Sequence, residues 1–330
     1  MITTSIEKKD TQDGFFRKNK TAIIFAAKIM IAAGLLIYLA SSIEYGKIIS
    51  AIENANLLLI ALAFLLSFVN IYLQYYKWRL TCGQVLEEKK KSKILTSLFY
   101  GFSAGIITPL RVGEYFGRAI VFKNKSLIQV TVATLIDKFF PMMIVAFVGS
   151  VTSILFFHFY YKTTIYLTLS LFIVLFTLFY FFAMLLLSKR FWDSIFFLRI
   201  KKITRFKSVI EKLKVLKSLD RKYFYRMTVV SLSFYFCFLL QLAILVSAFS
   251  HNYNFINYIW AGNLIMFTKT IIPPISLGEL GIREGASVYF LTQFGETASV
   301  AFNASIFLFI INLLIPALVG LVLLLKRNDT

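Results

Sequence analysis

Two stretches of the chain carry proline, glycine and charge in the same order. Pro109-Leu-Arg-Val-Gly113-Glu114-Tyr-Phe-Gly-Arg118 and Pro274-Ile-Ser-Leu-Gly278-Glu279-Leu-Gly-Ile-Arg283 both spell P-x-x-x-G-E-x-x-x-R, and every matched residue is offset by 165. A Glu and an Arg four residues apart share one face of a helix, so Glu114 can pair with Arg118 and Glu279 with Arg283. The planar guanidinium fork suits phosphate or carboxylate. Gly113 and Gly278 let backbones approach closely, and a helix N-terminus after each proline turn presents N–H groups to an anion. Two arginines brought together near a pseudo-two-fold axis would then bind an anionic group. The alternative is that each Glu–Arg pair neutralises itself and pins its own segment. The substrate-binding candidates are therefore Arg118, Arg283, Glu114 and Glu279, with Arg111, Glu284, Gly113, Gly278, Pro109 and Pro274 beside them.

Further charges fall inside apolar sequence. Asp137 beside Lys138 is either a structural pair or a coupling-ion site, while Lys269 and Lys28 can snorkel towards an interface. Gly101-x-x-x-Gly105, Gly113-x-x-x-Gly117 and Gly281-x-x-x-Gly285 fit close helix packing. Catalytic patterns are weak by comparison. Gly101-Phe-Ser103-Ala-Gly105 matches the serine-hydrolase elbow, but that elbow needs a preceding strand and a His/Asp partner set. His158 and His251 fall in expected short loops, far apart in sequence, and are read as loop residues without a metal. Cys82 and Cys237 are too far apart for a C-x-x-C pair or a thiolate metal site. No phosphate-binding or dinucleotide glycine loop is present. We expect no enzyme activity, no metal and no cofactor.

These residues need elements that hold charge within apolar surroundings. The 330 residues are 58% hydrophobic and 16% charged, with mean hydropathy +0.76, which excludes a soluble globular domain. Lys and Arg number 36 against 16 Asp and Glu, a net +20, yet the positives cluster between apolar runs rather than forming a nucleic-acid surface. Six runs near 21–40, 57–76, 127–157, 163–187, 227–249 and 301–325 have the length of membrane spans. The third is long and holds Pro141, which predicts tilt or a kink. Segments 94–122 and 255–297 are apolar but broken by Gly, Pro and charge, and read as re-entrant or discontinuous helices. Eight full crossings are the other option. The fold class is an all-α polytopic membrane protein with a single membrane domain at 21–325.

Each half, about 21–157 and 163–325, would hold three spans and one broken segment. An odd number of crossings inverts the second half, the plan of many secondary transporters. Residues 1–20 hold five Lys/Arg, 77–93 hold six and 188–226 hold thirteen, whereas 250–254 hold none. That places 1–20 and the 326–330 tail in the cytoplasm of a cell (inner or plasma) membrane. Segment 188–226 alternates Trp192, Phe196, Ile203, Phe206 and Leu213 with Lys and Arg, as a basic amphipathic helix does on an anionic leaflet.

The two signature segments resemble those of the lysylphosphatidylglycerol synthase transmembrane region, a flippase-like family. The second, Gly278-Glu279-Leu-Gly281-Ile-Arg283-Glu284-Gly285-Ala286, is the more specific. Many relatives have Gly-Gly-Leu-Gly where this chain has Leu277-Gly278-Glu279-Leu280-Gly281. In two-part members this region moves aminoacylated phospholipid between leaflets and a soluble domain makes it. No aminoacyltransferase part follows the last span here, so synthase activity is not expected. The resemblance implies translocation of a membrane lipid, whether anionic or aminoacylated phospholipid or a lipid-linked headgroup. A separate lipid-modifying enzyme is a candidate partner, and nucleic acid is not. The alternative is a non-transporting scaffold or accessory subunit for such an enzyme, docked on 188–226.

Overall fold

The structure, a computed structural model, describes residues 45–187, 219–272 and 280–328. The expected span at 21–40, most of segment 188–226, and Pro274, Gly278 and Glu279 lie outside the described residues. Among the described residues every regular element is helical. Five helices there are long and apolar enough to cross a membrane: Leu57–Leu86, Leu127–Tyr160, Ile165–Met184, Arg221–Ser250 and Ala298–Lys326.

In chain order the helices are α1 (Tyr45–Glu53), α2 (Leu57–Thr81), α3 (Lys91–Ile107), α4 (Gly113–Ala119), α5 (Leu127–Tyr160) and α6 (Ile165–Leu187). There follow α7 (Arg221–Ser250), α8 (Phe255–Ile271), α9 (Ile282–Gln293), α10 (Ala298–Phe309) and α11 (Ile315–Asn328). A π-turn at Cys82–Leu86 extends α2, and another at Ile310–Leu314 joins α10 to α11. Hydrocarbon offers no partner to a free backbone N–H, and four long helices begin on side-chain caps. Asn56 accepts from Leu58 and Leu59, Ser126 from Gln129, Asp220 from Tyr223 and Thr297 from Val300. Such a cap is worth about 1 kcal/mol.

Both broken segments are broken helices. In the first, α3 and α4 form an antiparallel hairpin in which Gly113 faces Ala104, and Gly117 faces Tyr100. A Cβ at these glycines would lie 2.1 Å and 2.3 Å from those residues' main-chain oxygens. Only glycine permits the contact. Between them, a 3₁₀ turn at Pro109–Arg111 reverses the chain, with Leu110 and Arg111 both in the left-handed region at φ 55° and 54°. In the second segment α8 packs against α9.

The helix order repeats. From α2 to α7, and from α3 to α8, the first residues lie 164 positions apart, and from α5 to α10 they lie 171 apart. The counterparts α2 and α7 run antiparallel. The Asn56 N–H donates to Ala248 O (2.8 Å), Gln241 donates to Ala63 O (3.0 Å), and Thr81 meets Tyr223 (3.0 Å). The second half is thus inverted. The halves also interlock, with α3 packed on α11 and α8 on α5. Gly320 of α11 sits against Phe99 O and Ser103, while its counterpart Gly149 on α5 sits against Phe267. Helix α6 stands outside this plan. It meets α5 through Phe147 with Phe176 and Phe179, and leaves most side chains exposed, as a lipid-facing helix does.

Two boundaries differ from expectation. Helix α2 continues past residue 76, so Lys77 belongs to a spanning helix and not to a basic loop. Helix α5, which holds Pro141, continues past residue 157 to Tyr160. It therefore includes His158, whose ring bonds Thr168 (3.0 Å).

Candidate functional site

The first hairpin and α5 build a buried charge network. Glu114 and Arg118 lie one turn apart on α4, and Arg118 Nη2 donates to Glu114 Oε1 (2.6 Å). Lys138 Nζ donates to Glu114 Oε2 (2.6 Å), and Arg111 Nη2 stands 3.3 Å from the same oxygen. Arg118 Nη1 donates to Asp137 Oδ2 (3.0 Å). Lys77 Nζ lies 3.5 Å from Asp137 Oδ1 and donates to the Asp137 main-chain oxygen (2.9 Å).

That last contact depends on Pro141. In an α-helix the carbonyl of residue 137 would accept from the N–H of residue 141. Proline has none, so the freed carbonyl takes the Lys77 ammonium. What reads in sequence as a helix breaker supplies a cation ligand.

Lys77, Glu114, Arg118 and Asp137 are each at most 5% exposed. Three cations, Lys77, Arg118 and Lys138, draw on two carboxylates, before Arg111 is counted. The Arg118 guanidinium also lies over the Trp78 ring, 4.3 Å from its centroid, a favourable cation–π arrangement. Among the described residues the network is most exposed at two of its cations. The side chains of Lys138 and Arg111 are 32% and 20% exposed, and beside them Leu110, Val112 and Phe116 present apolar surface.

The second hairpin is quieter. Arg283 Nη2 donates to Glu284 Oε1 (2.5 Å) and Arg283 Nε to Ser305 Oγ (3.1 Å), while Ser305 donates to Glu284 (3.2 Å). Glu284 Oε2 also accepts from the Gly281 N–H (2.6 Å), which fixes the start of α9. Gly281 sits at φ 92°, a backbone state that favours glycine. The Arg283 guanidinium lies 5.3 Å from the Phe309 ring.

The structure thus groups Arg118, Glu114, Arg111, Asp137 and Lys138, and separately Arg283 with Glu284. The two arginines share no partner among the described residues, because each is held by carboxylate and hydroxyl groups of its own hairpin and the following helix. The pairing of Glu279 with Arg283 lies outside the described residues. Pro109 opens the 3₁₀ turn. Gly113 does not offer its N–H to an anion, because that N–H donates to Thr108 Oγ1 (2.6 Å) and closes the hairpin tip. Lys269 lies over Phe238 (5.3 Å). The close packing expected of Gly281-x-x-x-Gly285 fails at Gly285, where an added Cβ would meet nothing within 4 Å. Ser103 gives its hydroxyl to Ala317 O (2.6 Å) and Phe99 O (3.2 Å), where α3 meets α11. Cys82 and Cys237 are free and buried.

Sequence reading missed Lys77 and a second polar cluster of Asn70, Gln241 and Asn312. One signal was available. Asp137 and Asn312 each stand four residues before a proline, Pro141 and Pro316, inside an apolar run.

A family model, described as the lysylphosphatidylglycerol synthase TM region, matches residues 25–320. No curated protein matches the chain.

Proposed function

The chain belongs to the lysylphosphatidylglycerol synthase TM region family, and from that premise we propose that it moves a phospholipid, or another lipid with a polar headgroup, between the leaflets of a cell membrane. The observation that carries this reading is the mouth of the charge network. Arg111 and Lys138 converge on one oxygen of Glu114. A phosphate oxygen arriving there can take over one of these cations, because the carboxylates already hold more positive charge than they balance. Acyl chains stay against Leu110, Val112 and Phe116 while the headgroup meets the cations. Arg118, Lys77 and Asp137 hold the inner side of the network rigid.

The role is one of binding and passage, with no bond made or broken. The clustering of Lys and Arg in the sequence at 1–20, 77–93 and 188–226 supports an orientation with both termini in the cytoplasm and favours contact with an anionic leaflet. A lipid-modifying enzyme upstream would supply the substrate.

The test is leaflet exchange of fluorescently labelled phospholipids in proteoliposomes. Wild-type protein should exceed protein-free vesicles for at least one anionic headgroup. Lys138→Met, which keeps the stem and removes the charge, should slow it about tenfold, the loss expected for a hydrogen bond to a charged group. Rates equal to empty vesicles across headgroups would exclude the reading.

A further inference from the structure

The inverted repeat sets a neutral cluster where the first half has its charges. Shifted by 164, Lys77 of α2 falls on Gln241 of α7. Lys77 reaches Asp137, four residues before Pro141, while Gln241 bonds Asn312, four residues before Pro316 and inside the π-turn. The exchange of contacts is mutual. Asn70 bonds Gln241 across the α2–α7 interface, and Lys77 lies over Phe234, the counterpart of Asn70.

The direction of every amide in this cluster is fixed by one carbonyl. The Ala63 main-chain oxygen only accepts, so Gln241 must turn Nε2 to it (3.0 Å) and Oε1 away. That oxygen then accepts from Asn312 Nδ2 (3.0 Å) and Asn70 Nδ2 (3.4 Å). Asn70 Oδ1 is taken by Gln74 Nε2 (2.8 Å). Asn312 Oδ1 remains, buried and without a hydrogen-bond partner among the described residues, on a residue only 7% exposed. A buried acceptor left unmatched is costly, and π-turns recur at functional sites. An unmatched acceptor takes a donor, the opposite of what the cationic cluster takes. The two ends are joined along one face of α2 by Asn70, Gln74 and Lys77, spaced four and three residues apart, a length of about 10 Å.

We infer that Asn312 Oδ1 binds a hydrogen-bond donor of the transported headgroup, a hydroxyl or an ammonium, at a second station separate from the phosphate-binding cations. This rests on the translocation reading above. The phosphate is recognised at the Lys138–Arg111 mouth and the donor at Asn312. A short headgroup uses the two stations in turn.

The experiment is calorimetric titration of the full chain in detergent with three short-chain lipids. Phosphatidylglycerol carries hydroxyls, phosphatidylethanolamine an ammonium, and phosphatidylethanol no donor, since its ionised phosphodiester only accepts. The first two can occupy either station and the third only the cations, so the first two should bind about fivefold tighter. Asn312→Leu should erase that preference and leave phosphatidylethanol binding unchanged. Asn312→Asp keeps an acceptor and adds charge, so it should keep the preference for the ammonium lipid and strengthen it. It also tests the station should the leucine variant fail to fold. Equal affinities in the wild type, or a preference that survives Asn312→Leu, would overturn the inference. Leaflet exchange without donor preference overturns the station alone. Donor preference without exchange overturns the translocation reading alone.

Discussion

The two hairpins share a backbone plan and differ in how their arginines are held. Arg118 reaches across to a carboxylate on α5, Asp137, and its partner Glu114 is shared with Lys138 and Arg111. Arg283 reaches across to a hydroxyl on α10, Ser305, and its carboxylate is the adjacent Glu284. With the 171-residue shift that relates α5 to α10, Asp137-Lys138 falls on Leu308-Phe309. One half concentrates charge that must be kept paired. The other satisfies its arginine locally and packs it on an aromatic ring. An inverted repeat can carry both because its symmetry lies in the backbone and not in the side chains, which is what a binding site with a defined entry side requires.

The sharpest way to break this comparison is to give the first half the second half's residue. Asp137→Leu matches Leu308, but it strands Lys77 and Arg118 without their carboxylate. Removing one partner of a buried ion pair costs about 3–5 kcal/mol, so thermal unfolding in detergent should show a large loss. The double variant Lys77→Gln with Asp137→Asn puts an amide pair like Gln241 with Asn312 in place of one ion pair and leaves Arg118 on Glu114, so it should lose less stability than its two single variants summed. Losses that simply add would show that Lys77 and Asp137 are not coupled.

A smaller effect tests the interlocking of the halves. At Gly320 an added Cβ would lie 2.1 Å from the Phe99 main-chain oxygen, which cannot yield without moving α3. At its counterpart Gly149 the obstacle is the Phe267 side chain, with contacts of 2.5–2.6 Å, and that side chain is only partly buried. Gly320→Ala should therefore lower stability by about 1–3 kcal/mol, the usual cost of overpacking, and Gly149→Ala by less. The reverse order would mean that the α3–α11 contact yields more readily than the α8–α5 contact.

Much of this was legible in sequence, for stated physical reasons. Apolar runs of span length bounded by Lys and Arg give spanning helices, and five of the six fall among the described residues. The repeated proline, glycine, Glu and Arg marked both hairpins. Long-range partners were not legible. That Arg118 leans on Asp137, 19 residues away, depends on how α4 docks on α5. Lys77 was hidden for another reason. A lysine near the end of an apolar run looks like a flanking positive charge, and only the carbonyl freed by Pro141 makes it an interior residue. Asn312 and Gln241 carry no charge, so neither interrupts a hydropathy profile.

The smallest expected effect concerns the glycine pairs of the two hairpins. Gly113 and Gly117 are required because their α-carbons press on the carbonyl oxygens of Ala104 and Tyr100. Gly281 is required by its positive φ. Gly285 has neither constraint. It lies inside helix α9 with open space where its side chain would be. Glycine there costs helix stability relative to alanine, about 0.5–1 kcal/mol. Gly285→Ala should thus raise the unfolding temperature slightly, whereas Gly117→Ala on the other hairpin should lower it. A fall at Gly285 would mean that α9 docks against a surface as close-fitting as that of α4. The second hairpin would then be as tightly folded as the first, and the contrast between them would reduce to charge alone.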